Sequence, residues 1–354
     1  MFNFRMGSAG LAVAIVLGGP CAAHADEISD FYKGKQVQLV VGYGAGGGYD
    51  LNARLLARHL GNFIPGNPTI VVQNMPGAGS LRAANFIHSI APRDGTTMAA
   101  LDRQVSLSAV LGGNPAVRFT AAEINWIGTL SSYANDSFIL WLRKDAPVKS
   151  AADLTRADGP EATVGGSAVG STDDATIIIL RDALKLRLRL VTGYPDGNAI
   201  SLALERNEVQ GRIAGHSAIA STRPEWLKPD SHVRAILQVG RTQRHPSYAD
   251  IPTARELAKD AQGKSIIEAM ELTYQLARPY VVPPGIPPAR LAALRKAFMD
   301  ATASPGMREE AARMSVELSP VDGETAAGLV ADMAKAPPEA MDYLRKLLGG
   351  AEAK

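Results

Sequence analysis

The chain has 354 residues, 46% hydrophobic and 20% charged, with 37 Lys and Arg against 35 Asp and Glu. That length allows two domains of ordinary size, and so even a balance excludes a polybasic or polyacidic chain. No basic run interleaved with aromatics appears, so nucleic acid is not an expected partner.

The N-terminus reads as a leader. Arg5 is the only charge before the apolar run Leu11-Ala12-Val13-Ala14-Ile15-Val16-Leu17, and Ala23-His24-Ala25 precedes Asp26 in the A-x-A arrangement of a secretory signal. The apolar run is too short to span a bilayer. Pro20 fits lipid attachment at Cys21 badly, so cleavage after Ala25 is expected and residues 1–25 are assigned as a signal peptide. Cys21 is the only cysteine, which leaves the exported chain without a disulfide, a thiol nucleophile or a cysteine-ligated metal.

Next comes the β-branched segment Val37 to Val41, then Gly42-Tyr43-Gly44-Ala45-Gly46-Gly47-Gly48-Tyr49-Asp50, then a helical pattern from Leu51 to Leu60. Strand, glycine-rich loop and helix in that order aim backbone N–H groups and a helix dipole at one point, a receptor for an anion. Asp50 is read as a helix N-terminal residue. Thr69 to Gln73 forms a second strand, followed by the loop Asn74-Met75-Pro76-Gly77-Ala78-Gly79-Ser80 and a helix from Leu81 to about Ile90. Arg82, just after that loop, suits either a carboxylate clamp or a solvated helix position. Thr97 to Leu101 suits a third strand.

The pattern restarts with strand Phe138 to Leu142 and a short helix from Pro147 to Thr155. The strand Ala162 to Val164 leads into the loop Gly165 to Thr172 and a helix to about Leu186. Strand Leu188 to Val191 precedes Tyr194-Pro195-Asp196-Gly197 and a helix to about Arg206. Arg234 to Val239 and Tyr280 to Val282 are further strands, and helices start at Pro288, Pro305 and Glu324. Alternating strands and helices imply parallel sheets with ligands at the strands' carboxyl ends, where both early glycine loops lie. Hydroxyls of Ser80, Ser167, Ser171 and Thr172 can add donors there.

Two other chemistries fit parts of this pattern. Gly42 to Gly47 formally satisfies G-x-G-x-x-G, but the second strand ends Val72-Gln73-Asn74 without the acid a dinucleotide ribose needs. Gly165-Gly166-Ser167 and Gly215-His216-Ser217 begin like nucleophile elbows and lack the final glycine. His59, His88, His232 and His245 show no metal-ligand spacing, so no metal is expected.

The order and spacing of these landmarks, together with Ala91-Pro92-Arg93-Asp94-Gly95, Ser247 to Thr253 and Val282-Pro283-Pro284-Gly285-Ile286-Pro287, resemble the substrate-binding proteins of tripartite tricarboxylate transporters, the Bug/TctC family. The resemblance covers nearly the whole exported length. It implies an α/β, two-lobed periplasmic binding protein of the "Venus flytrap", type II-like class, each lobe a mainly parallel sheet flanked by helices, joined by two hinge strands. Lobe 1 would comprise residues 26–131 plus 275–354 and lobe 2 residues 132–274, with hinges near Leu130 to Tyr133 and Leu272 to Ala277. It also implies a monomeric periplasmic receptor, without cofactor or enzymatic activity, that hands a small di- or tricarboxylate to membrane permease subunits, or reports it to a sensor. The first-lobe ligand residues would be Tyr43, Ala45, Gly46, Gly47, Gly48, Gly77, Ala78, Gly79 and Ser80. The second lobe would supply Ser167, Gly170, Ser171, Thr172 and Asp196. Ala214 and Gly215 stand where members commonly carry an Asp-Asn-like pair, which makes His216 a local alternative. Ser131 and Tyr133 fall at the expected hinge.

Overall fold

The computed structural model describes residues 21–133 and 136–348. The leader expected up to Ala25 lies outside the described residues as far as residue 20; the helix Cys21–Tyr32 follows. Among the described residues no helix is long and apolar enough to cross a membrane.

Strands β1 (Gln36–Val41), β2 (Thr69–Asn74), β3 (Thr97–Ala100) and β4 (Asn125–Thr129) come first. The chain then crosses to β5 (Phe138–Arg143), β6 (Ala162–Gly165), β7 (Leu188–Val191), β8 (Gly211–Gly215) and β9 (Val233–Val239), and returns for β10 (Pro279–Val282) and β11 (Val321–Asp322). Two sheets result, ordered β11-β4-β10-β3-β1-β2 and β7-β6-β8-β5-β9. The crossings are the segments 130–137 and 240–278.

Burial explains the strand sequences. β1 is central, and its Leu39, Val40 and Val41 are buried, as a strand covered on both faces requires. β2 lies at the edge and alternates exposed and half-buried positions. The expectation of mainly parallel sheets needs correction, because both are mixed. β1 pairs in parallel with β2 and β3, whereas β10 runs antiparallel to β3 and β4. In the second sheet β6 is parallel to β7 and β8, and β5 is antiparallel to β8 and β9. The reason is topological. β5 and β10 are the strands by which the chain enters one sheet and re-enters the other, and each inserts against the local direction.

One apolar core is continuous between the sheets: Val40, Ala99 and Val281 of the first sheet with Leu140, Ile213 and Leu237 of the second. The helix Ala261–Tyr274, within the second crossing, packs on the helices Thr172–Ala183 and Pro338–Leu348. The latter also touches the helix Gln104–Leu111, so the last described helix bridges elements of both sheets. That arrangement leaves the strand ends carrying the glycine loops facing each other.

Candidate functional site

The first glycine loop is held by its own helix. Asp50, in the first turn of the helix Gly48–Leu60, accepts the Gly46 N–H and Arg54 Nε–H on one oxygen and Asn74 Nδ2–H on the other, each at 2.9 Å. Asn74 Nδ2 also donates to the Tyr43 carbonyl at 2.9 Å, which ties the two glycine loops together. Those bonds and Arg54 keep the Asp50 carboxyl below its ordinary range, against the opposing effect of its burial. Ser80 performs a similar service, donating Oγ–H to the Gly42 carbonyl (3.2 Å) and accepting the Asp102 N–H (3.1 Å). Residues Gly77, Ala78, Gly79 and Ser80 all have positive φ, a tight curl that is uncommon for the two non-glycines.

The helix starts differ between the lobes. Gly47 and Ser80 cap the helices Gly48–Leu60 and Leu81–Ser89 without a side-chain hydrogen bond. In the second lobe Ser171 caps Thr172–Ala183 and Asp196 caps Gly197–Glu205, each through its side chain. Side-chain caps satisfy the orphan N–H groups of a first turn, so at these four helix starts the N–H groups without a side-chain cap are those after Gly47 and Ser80.

The lobes meet across a narrow cleft. Thr172 Oγ1–H donates to Asp102 Oδ1 at 2.6 Å, and Tyr43 Oη–H donates to Asp102 Oδ2 at 2.6 Å. A Cβ on Gly79 would lie 2.7 Å from the Ser171 nitrogen, so only glycine permits this approach. Behind the contact lies a cavity of about 70 Å³ lined by Tyr43, Gly47, Gly48, Thr172 and Asp196 of the expected set. A shallower hollow of about 250 Å³ is lined by Tyr43, Gly77, Ala78, Gly79 and Ser167. Tyr43 belongs to both, stacked on Tyr49 with ring centroids 4.9 Å apart.

The inner cavity also holds charged residues that the sequence reading did not single out: Asp102, Arg103, Asp173, Arg212 and Arg278. Arg103, Arg212 and Arg278 are 2%, 8% and 7% exposed. Arg103 lies 4.8 to 5.0 Å from the ring centroids of Tyr133, Phe138 and Tyr274. Their resolved acceptors are neutral. Arg103 Nη2 donates to Tyr133 Oη (3.1 Å), Arg278 Nη1 to the Ala277 carbonyl (2.9 Å), and Arg212 Nη1 to the Gly197 carbonyl and Ser201 Oγ. Arg103 Nε and Nη1, Arg212 Nε and Arg278 Nε have no hydrogen-bond partner among the described residues. Burial pushes Asp173 up to about 7, with Arg212 opposing and Asp102 and Asp174 adding to the rise. Burial also lowers Arg212, partly countered by Asp173.

Other expected residues lie away from this cavity. Ala45 and Gly46 are exposed at the rim, and Gly170 is half-buried with nothing near a would-be Cβ. Ser80 and Ser171 are fully buried and engaged in the loop and cap contacts above, whereas Ser167 Oγ is buried without a partner. His216 is bonded through Nδ1 to Tyr248 Oη and lines a separate hollow with Trp141 and Trp226; Gly215, before it, lines the cleft. Burial lowers the His216 pKa. Ser217 Oγ–H donates to Asp136 (2.6 Å), so this elbow-like serine is engaged by a carboxylate. Arg82 is exposed beside the Pro76 carbonyl, and Ser131 Oγ accepts the Tyr133 N–H (3.3 Å) in the first crossing. The charged lining carried two signals: an Arg within the otherwise uncharged strand Gly211-Arg212-Ile213-Ala214-Gly215, and the pair Asp102-Arg103 directly after an apolar strand.

Residues 53–339 match the family described as Tripartite tricarboxylate transporter family receptor. The UPF0065 protein in gbd 5'region of Cupriavidus necator is 27% identical over 319 residues, 87% of each chain. Among solved structures, the periplasmic binding protein BugD superposes with a TM-score of 0.68 at 19% identity, covering 89% of this chain and 98% of BugD. MatC from Rhodopseudomonas palustris with bound malate gives 0.66 at 20% identity, covering 89% and 99%. An R. palustris protein with adipate gives 0.67 at 20% identity, covering 89% and 97%. The two sheets therefore have the two-lobed arrangement of periplasmic binding proteins.

Proposed function

The chain belongs to the tripartite tricarboxylate transporter receptor family, and from that premise we propose that it captures a small carboxylate between its lobes in the periplasm and presents it to a membrane permease. The observation that carries this reading is the meeting, in one cavity, of the first-lobe helix start at Gly47 and Gly48 with three buried guanidinium groups. A carboxylate leaving water needs several charge-assisted hydrogen bonds. The helix N-terminus and the unpartnered guanidinium nitrogens supply donors of that kind.

Capture would take place in an open form. Tyr43, Gly47 and Gly48 receive the ligand, and Ser171, Thr172 and Asp196 then approach as the second lobe swings about hinges near 130–133 and 272–277. Ligand favours closure only through contacts absent from the open form, which here include everything the second lobe adds. Malate and adipate, bound by two proteins of similar fold, suggest the probes to use. A thermal-shift panel of mono-, di- and tricarboxylates at near-neutral pH tests the reading. A bound ligand at a hundredfold its Kd should stabilise the protein by about 2.7 kcal/mol. No shift with any carboxylate would overturn the assignment.

A further inference from the structure

Cations from different parts of the chain line the inner cavity. Arg278 Nη2 comes to 3.8 Å of the position a Cβ on Gly48 would take, so its guanidinium stands beside the first-lobe helix start. Arg212 lies on β8 of the second lobe, and its Nη2 would be 2.6 Å from a Cβ on Gly197. Arg103 also lines the cavity, clamped by aromatic rings and held through Nη2 alone. Each of the three is more than nine-tenths buried and keeps at least one N–H nitrogen without a partner. The carboxylates nearby do not discharge that demand. Asp102 is filled by Tyr43, Thr172 and the Gln104 N–H, Asp196 Oδ1 caps the helix Gly197–Glu205, and Asp173, which lines the cavity with Arg212, is pushed toward its neutral form by burial and offsets that cation only in part.

A buried guanidinium without an anionic partner carries a large desolvation penalty, and removing the counter-charge of such a group is strongly destabilising. Planar, forked donors also match a carboxylate in geometry. Two such donors on opposite lobes call for two acidic groups on one ligand. Resting on the carboxylate reading above, we propose that Arg278 with the Gly47–Gly48 helix start takes one acidic group of a short di-acid, and that Arg212, carried in by the closing lobe, takes the second. Arg212 thus sets the specificity of the site for di-acids over mono-acids. The cavity of about 70 Å³ has room for about five water-sized groups, which points to a short spacer between the acids.

Matched ligand pairs test this directly: malonate against malonamate, succinate against succinamate, glutarate against glutaramate and adipate against adipamate. Each half-amide keeps the length and one carboxylate and loses one charge. Calorimetry on the wild type should show the preferred di-acid bound about tenfold to a hundredfold more tightly than its half-amide, the range expected for a hydrogen-bonded charge. Arg212→Gln, which keeps a donor for the Gly197 carbonyl, should collapse that ratio, because the di-acid loses a charge-assisted contact and the half-amide only a neutral one. Arg278→Met leaves the Arg212 contacts in place and should weaken both members of the pair alike. Equal affinity for both members in the wild type, or a ratio that survives in Arg212→Gln, overturns the di-acid inference and leaves the carboxylate reading standing. Absence of binding by every member of every pair overturns both. The wild-type ratio alone decides the matter should a variant fail to fold.

Discussion

At the scale of single residues, Asp102 and Asp173 show how one cavity treats two carboxylates. Asp102 is met by Tyr43, Thr172 and the Gln104 N–H; Asp173 has no such set and is pushed up to about 7 by burial. Around Asp173 stand Arg212 on β8, Asp102 and Arg103 after β3, Asp174 on its own helix, and the phenols of Tyr43 and Tyr274. Its folded value lies above the ordinary 3.8, so the folded protein keeps a proton that the unfolded chain releases. That contribution is fully present below the ordinary value and is lost as pH rises through about 7. Asp173→Asn should therefore flatten the decline of Tm between about pH 5 and 8 and raise Tm at the upper end. An unchanged profile in a pH series of melts would contradict the assignment. Thr172→Val removes the hydroxyl that reaches Asp102 from the other lobe. Ligand affinity should fall about tenfold to a hundredfold, the equivalent of one neutral-to-charged hydrogen bond, with little change in the apo melt. Asp102 carried a signal in its place beside Arg103 after an apolar strand, whereas Asp173 was not legible beforehand. Asp173 follows Ser171 and Thr172 and reads as an ordinary helix-start acid, and only the folded chain brings it opposite Arg212.

At the scale of elements, the glycine loops were legible because their chemistry is local. A strand, a run of small residues and a helix pattern define where N–H groups point without knowledge of any partner. The division of labour between helix starts was less so. Ser171 and Asp196 are N-caps by residue type, and caps is what they are. Ser171→Ala should cost about 1 kcal/mol of stability, measurable by denaturant unfolding, with the fold preserved. Gly79 tests closure. Its φ is positive and a Cβ would press on the Ser171 nitrogen and the Gly170 carbonyl carbon across the cleft. Gly79→Val should wedge the lobes apart and abolish ligand-induced stabilisation. Gly47→Val has more room, since the nearest neighbour of its Cβ is Asp196 at 3.7 Å, and should weaken binding less. Equal affinity in wild type and Gly79→Val would show that the second lobe does not close on the ligand. The helices Gln104–Leu111 and Ala261–Tyr274 were not foreseen. The first is apolar around most of its circumference and buries Val105, Leu107 and Leu111, so it carries no amphipathic stripe to read.

At the scale of the whole molecule, the two-lobed outline followed from a strand-and-helix pattern that restarts at Phe138 and from landmarks shared along the chain. Strand direction did not follow. Whether β10 runs with or against β3 depends on where the chain re-enters the first sheet, a non-local fact that periodicity does not contain. The same crossings matter for function, because a core continuous between the sheets on one side leaves opening to occur on the cleft side. Di-acid addition should then reduce the radius of gyration in solution scattering, and Gly79→Val should not show that reduction. The measurement that bears most directly on the account is calorimetric titration of the wild-type protein with the di-acid series at near-neutral pH. The account predicts saturable binding of one di-acid per chain, strongest among the shorter members. Saturable binding of inorganic phosphate or a nucleotide with no heat from any carboxylate would contradict it.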